Sequence, residues 1–96
     1  MELKEILKSP GHTIVDVRPT AEFQKGHIPD SLNIPLKDIP AKLEELKKMS
    51  KPLVLCCGSG NDCRHAHIFL SQQGVGNTFA GGSWLELNAL KPKPTK

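Results

Sequence analysis

Hydrophobic positions change period several times along the chain, and each change predicts an element. Leu3, Ile6 and Leu7 recur at helical spacing until Ser9-Pro10-Gly11 breaks the run. Thr13-Ile14-Val15-Asp16-Val17 is a β-branched run that stops at Arg18-Pro19, the pattern of a buried strand. Thr20 stands where it caps a helix through Lys25, Glu22 falls in the first turn where the helix dipole favours negative charge, and Gly26 supplies the stop. His27-Ile28-Pro29-Asp30 reads as a turn, and Ser31-Leu32-Asn33-Ile34-Pro35 alternates polar and apolar like a short strand.

Ile39, Leu43 and Leu46 return to helical spacing, with Glu44 and Glu45 three or four residues before Lys47 and Lys48, which predicts a helix from Pro40 to Met49. Leu53-Val54-Leu55-Cys56 has no polar interruption and suits a central strand covered on both faces. Gly58-Ser59-Gly60-Asn61-Asp62 breaks that strand sharply. Ala66, Ile68, Phe69 and Leu70 then mark a helix from Arg64 to Gln73, ended by Gly74. Asn77-Thr78-Phe79-Ala80 reads as a last strand, and Gly81-Gly82 as the opening of a short helix through Leu87. Alternating strands and helices predict an α/β fold: a mostly parallel central sheet of four to five strands over residues 1–90, flanked by helices on both faces. The Pro and Lys tail, 91–96, is expected to be flexible.

Composition narrows the class. Ninety-six residues, 38% of them apolar, close one modest core. A charged fraction of 24% argues against disorder, and an aromatic fraction of 4% argues against a base-stacking surface. A net charge of +3 is no electrostatic footprint for nucleic acid. Three cysteines, two of them adjacent, do not make a disulfide framework, and a reducing compartment is the simpler setting. No apolar run approaches the ~20 residues needed to cross a bilayer, and residues 1–5 lack an export pattern. A cytoplasmic protein without membrane partners is expected, although a mature chain with its export signal replaced by Met reads the same way.

The chemistry concentrates at Cys57. In open parallel sheets ligands bind beyond the carboxyl ends of the strands. Cys57 ends the most apolar strand there, before a glycine-rich turn and a helix. Amides of residues 58–63 are free to point at an anion, and the helix dipole adds positive potential, so both favour a thiolate. The plainer alternative is a buried structural cysteine. Nucleotide binding is excluded by motif: Gly58-Ser59-Gly60 has neither a Gly-Lys-Ser/Thr ending nor a third glycine at the dinucleotide spacing.

Two blocks carry a family resemblance across nearly the whole chain. Ile14-Val15-Asp16-Val17-Arg18-Pro19, Glu22-Phe23, Gly26-His27-Ile28-Pro29 and Ser31-Leu32-Asn33-Ile34-Pro35 resemble the first signature of single-domain rhodaneses. Leu53-Val54-Leu55-Cys56-Cys57 followed by Gly58-Ser59-Gly60-Asn61 resembles their active-site loop. The resemblance implies a sulfurtransferase whose catalytic Cys57 carries sulfane sulfur as a persulfide. Gly58, Ser59, Gly60, Asn61, Asp62, Cys63 and Arg64 would surround the substrate, and no metal or organic cofactor is required. Its partners would be small sulfur donors and thiol acceptors, including a thioredoxin-like protein, served by a monomer.

Departures from the family pattern matter. Well-matched rhodaneses often carry Arg directly after the cysteine and again five positions after it, where this chain has Gly58 and Asp62. Weak thiosulfate handling and a preference for less charged persulfide donors are therefore expected; Arg64 lies two positions further on. Strand alternation turns Cys56 away from Cys57 and into the core. Cys63 stands where the family commonly has Ser or Thr and reads either as a helix cap or as a resolving thiol for Cys57. His65 and His67 fall on different helix faces, and His12 and His27 lie in other segments, so a metal site is not expected. Asp16 and Arg18 read as buried partners, with Glu22 nearby, while Trp84 has no evident role. Two other classes compete: a non-catalytic binding module, and a cysteine-dependent phosphatase or arsenate reductase. The latter wants Arg six positions after Cys57, where Cys63 stands.

Overall fold

The computed structural model describes residues 3–8 and 10–91. Helix α1 (Leu3–Lys8) precedes β1 (Thr13–Asp16), α2 (Thr20–Lys25) and β2 (Leu32–Asn33). Two 3-10 turns, Leu36–Asp38 and Pro40–Lys42, lead into α3 (Leu43–Lys48), and then β3 (Leu53–Cys57), α4 (Asn61–Gln72), β4 (Thr78–Ser83) and α5 (Trp84–Leu90) complete the chain. The four strands pair in the order β2-β1-β3-β4, all parallel. Every strand therefore points its carboxyl end to the same edge, and Cys57 is the last residue of the central strand β3.

Alternation along β3 divides the core into two layers. Leu53, Leu55 and Cys57 pack with Val15, Leu46, Cys63, Ala66 and Leu70 on the face covered by α3 and α4. Val54 and Cys56 pack with Ile6, Leu7, Ile14, Ile28 and Leu87 on the face covered by α1 and α5. The predicted α/β architecture and the opposed directions of Cys56 and Cys57 are both present.

Local details differ from the sequence reading at element ends. Thr20 is not a cap: Pro19 holds the N-cap position of α2 without a side-chain hydrogen bond, and Thr20 is already helical. The single helix expected over 40–49 is split, because Pro40 opens a separate 3-10 turn before α3. Helix α4 begins at Asn61 rather than Arg64, so Asp62, Cys63 and Arg64 occupy its first turn. Gly81 and Gly82 belong to β4 rather than to a helix. Between Leu55↔Ala80 and Cys57↔Ser83 the register shifts, two steps on β3 facing three on β4. Such a bulge needs glycines. A Cβ at Gly81 would lie 2.9 Å from Val54 Cγ1 and 3.0 Å from the Leu55 carbonyl oxygen, and Gly82 sits at φ +85. Ser83, not the double glycine, starts α5, its hydroxyl accepting from the Glu86 N–H at 3.1 Å. Of the tail, 92–96 lies outside the described residues, whereas Lys91 donates from Nζ to the Pro29 carbonyl at 3.2 Å.

Candidate active site

The strand-to-helix turn after β3 brings Cys57, Gly60 and Cys63 together. Gly60, at φ +97, reverses the chain in a conformation that glycine adopts without strain. Its N–H consequently donates to Cys57 Sγ at 2.9 Å, and the Cys63 N–H, in the first turn of α4, donates to the same sulfur at 3.4 Å. Two of the amides expected from the glycine-rich turn thus face the sulfur. The Asn61 N–H turns instead to Ser59 Oγ at 3.4 Å. Gly58, Ser59, Asn61, Asp62 and Arg64 are exposed, Gly60 is half-buried and Cys63 is fully buried.

Cys57 itself has 0% exposure. Its sulfur is enclosed, not open to solvent as a free nucleophile would be. The β4 bulge forms part of the enclosure: the Gly82 carbonyl accepts from the Cys57 thiol at 4.0 Å and from the Cys63 thiol at 3.6 Å. Cys63 also donates from Sγ to the Gly60 carbonyl at 3.3 Å. The cap reading of Cys63 is therefore corrected, because Gly60 occupies the N-cap position and the Cys63 side chain points into the core. Burial, followed by the hydrogen bond with Cys57, pushes the Cys63 thiol up to about 11.

A cleft of about 350 Å³ opens beside the turn, lined by Val17, Pro19, Pro35, Leu36, Lys37 and Asp62. It lies past the carboxyl ends of β1 and β2, where this fold class binds ligands. Sequence reasoning missed the Pro35–Lys37 wall, although the shared ending of β1 and β2 was the signal for it. Arg18 is the other neighbour it missed. The Arg18 Cδ lies 3.9 Å from where a Cβ on Gly58 would be, yet the guanidinium is directed away from the turn. It binds the Asp16 carboxylate from Nη2 at 2.8 Å and the Gly26 carbonyl at 2.6 Å, and lies 4.6 Å from the ring centroid of Trp84. Trp84 thus acquires a role as the stacking surface for Arg18. Glu22 contributes to Arg18 through charge.

The histidines are dispersed. His27 Nδ1 is 2.8 Å from the Phe23 carbonyl oxygen and its ring stacks on Phe23, His67 Nδ1 is 2.9 Å from Thr78 Oγ1, and His65 borders an apolar recess with Leu36 and Ile39. Among the described residues no three His, Cys, Asp or Glu side chains are grouped to hold a metal, and no helix is long and apolar enough to cross a membrane.

Comparison with known proteins bears on this geometry. The family model for a rhodanese-like domain matches residues 1–86. The chain is 34% identical over 89 residues to a thiosulfate sulfurtransferase, GlpE, of Pseudomonas savastanoi pv. phaseolicola, covering 90% of this chain and 80% of that protein. Among solved structures, a rhodanese-related protein from Thermoplasma volcanium superimposes with a TM-score of 0.69 at 36% identity, covering 88% of this chain and 84% of that one. The human single-domain sulfurtransferase TSTD1 gives a TM-score of 0.69 at 29% identity, covering 88% and 89%.

Proposed function

The chain belongs to the rhodanese-like sulfurtransferase family, and on that premise we propose that it moves sulfane sulfur from a persulfide donor to a thiol acceptor through a persulfide on Cys57. The observation that carries this reading is the pair of N–H groups, from Gly60 and Cys63, aimed at one sulfur at the end of the central strand. Donors so placed stabilise negative charge on that sulfur, and a donor molecule gains access to it when the turn opens. The Cys57 thiolate attacks the outer sulfur of the donor, forming a sulfur–sulfur bond as the donor's own bond breaks. The electron pair leaves with a thiolate, or with sulfite when the donor is thiosulfate. A second thiol, small or presented by a thioredoxin-like protein, then takes the outer sulfur and restores Cys57. Each half-reaction balances without a metal or organic cofactor.

Donor choice follows from charge. Gly58 and Asp62 give the turn no cation, Arg18 is committed to Asp16, Lys37 shares its cleft with the opposite charge of Asp62, and Arg64 is exposed on the first turn of α4. A dianion such as thiosulfate is therefore handled poorly, whereas the mostly apolar cleft formed by Val17, Pro19, Pro35 and Leu36 suits an organic persulfide. Three free cysteines suit a reducing, cytoplasmic setting. The protein acts as a monomer and engages neither nucleic acid nor membrane.

The enclosure of Cys57 favours a second reading, a binding module that has kept the fold without turnover. Intact-mass measurement after incubation with a low-molecular-weight persulfide separates the two. One added sulfur atom is expected on the wild type and on Cys56→Ser, and none on Cys57→Ser. A wild-type mass that never changes sinks the carrier reading.

A further inference from the structure

The transfer cycle leaves one buried nucleophile without a task. Cys63 is fully enclosed in the first turn of α4, and its thiol faces the Gly82 carbonyl at 3.6 Å. The Cys57 thiol faces the same carbonyl at 4.0 Å. The Cys63 N–H reaches Cys57 Sγ at 3.4 Å, so the start of the helix is tied directly to the end of the strand. Two free thiols converge on one oxygen from different elements. Neither helix capping nor the fit of the glycine bulge requires a sulfur at position 63.

We propose that Cys63 is a resolving thiol that discharges the Cys57 persulfide internally when no external acceptor arrives, an inference that rests on the carrier reading above. The Cys63 sulfur attacks the inner sulfur of Cys57–S–SH, the one its backbone N–H already touches. A Cys57–Cys63 disulfide forms, the bond between Cys57 Sγ and the outer sulfur breaks, and the outer sulfur leaves with the electron pair as hydrosulfide. The two cysteine sulfurs are oxidised, the sulfane sulfur is reduced, and the proton lost by Cys63 appears in the released sulfide, so no other oxidant is consumed. A dithiol reductant afterwards restores both thiols. With its thiol pushed up to about 11, Cys63 is little ionised near neutrality. Discharge is accordingly slow, and an arriving thiol acceptor takes the sulfur first.

The test uses full-length protein loaded with glutathione persulfide and rapidly freed of donor. Intact mass and liberated sulfide are followed in the wild type, Cys63→Ser and Cys56→Ser. In the wild type and Cys56→Ser the added sulfur should disappear with release of about one sulfide per chain, and peptide mapping should find Cys57 joined to Cys63. In Cys63→Ser, which keeps the backbone N–H, the persulfide should persist at least about tenfold longer. A wild-type persulfide as long-lived as that of Cys63→Ser overturns the inference while the carrier reading stands. No adduct on any of the three proteins overturns both.

Discussion

Cys56 and Cys57 are adjacent, equally buried and opposite in circumstance. The Cys56 side chain enters the layer beneath α1 and α5, beside Asp16. Burial, reinforced by the Asp16 charge, holds its thiol far above the ordinary range. The Cys57 side chain enters the opposite layer, where the strand has just ended and amides of the turn and of α4 have no ladder partner. Burial alone silences a thiol. Burial together with donated N–H groups equips one to accept charge, and what supplies those groups is the end of a strand meeting the start of a helix.

The Cys56 side should tolerate change chemically and suffer it structurally. Arg18 and Asp16 form a buried pair on that face, with side chains 7% and 0% exposed. Asp16→Ala leaves the guanidinium with the Gly26 carbonyl, the Trp84 ring and the charge of Glu22 but no carboxylate bonded to it, and breaking a buried pair in this way costs about 3–5 kcal/mol. In a domain of this size that lowers the melting temperature by more than about 10 °C, measured by calorimetry or circular dichroism. At low temperature the folded variant should still load sulfur on Cys57. Loss of loading in protein that remains folded would break the separation of the two faces.

Charge at the turn sharpens the comparison from the Cys57 side. Gly58 is exposed and has no left-handed φ, and its nearest neighbour to a new Cβ is Arg18 Cδ at 3.9 Å, so an arginine fits there. Asp62 is exposed on the first turn of α4. A charge-assisted hydrogen bond is worth about 1.5–3 kcal/mol. Gly58→Arg and Asp62→Arg should therefore each raise thiosulfate–cyanide turnover by about ten- to a hundredfold, with little change for an uncharged persulfide donor. Equal gains for both donors, or none for either, would contradict the account of donor choice.

How much of this was legible in the sequence depends on the scale of the signal. Leu53-Val54-Leu55-Cys56, with no polar residue, and the β-branched run before Arg18, with Asp16 as its one buried charge, define the two central strands because both faces are covered. Cys57 at a strand end before glycines marked the site for the same reason. The bulge at Gly81 and Gly82 was not legible, since glycine at that point equally suits a helix start. What decides between them is Val54 pressing from the neighbouring strand, a contact with no trace in local sequence. The enclosure of Cys57 agrees with the plainer alternative of a buried cysteine, but its source was not legible, because part of it comes from Gly82, twenty-five residues away along the chain. Arg18 was correctly paired with Asp16, but the stacking of Trp84 on it joins α5 to β1 through space alone.

The two glycines give the finest division between the faces. A Cβ at Gly81 meets Val54 Cγ1 at 2.9 Å and Leu87 Cδ2 at 3.1 Å, both side chains of the Cys56 layer, and the Leu55 backbone carbonyl oxygen at 3.0 Å. Gly81→Ala should therefore cost about 1–3 kcal/mol through overpacking and leave the rate of sulfur loading on Cys57 unaltered. A Cβ at Gly60 meets nothing closer than Gly82 Cα at 3.8 Å, but the φ of +97 is one that alanine resists. Gly60→Ala should therefore cost about 1–2 kcal/mol and swing the N–H off Cys57 Sγ. Losing a hydrogen bond to a developing anion should slow loading by about tenfold or more. Thermal unfolding and the rate of adduct formation, measured on both variants, should separate the two effects: stability lost without rate at Gly81, rate lost beyond stability at Gly60. If the two variants lose rate and stability in the same proportion, the N–H groups around Cys57 are packing rather than chemistry.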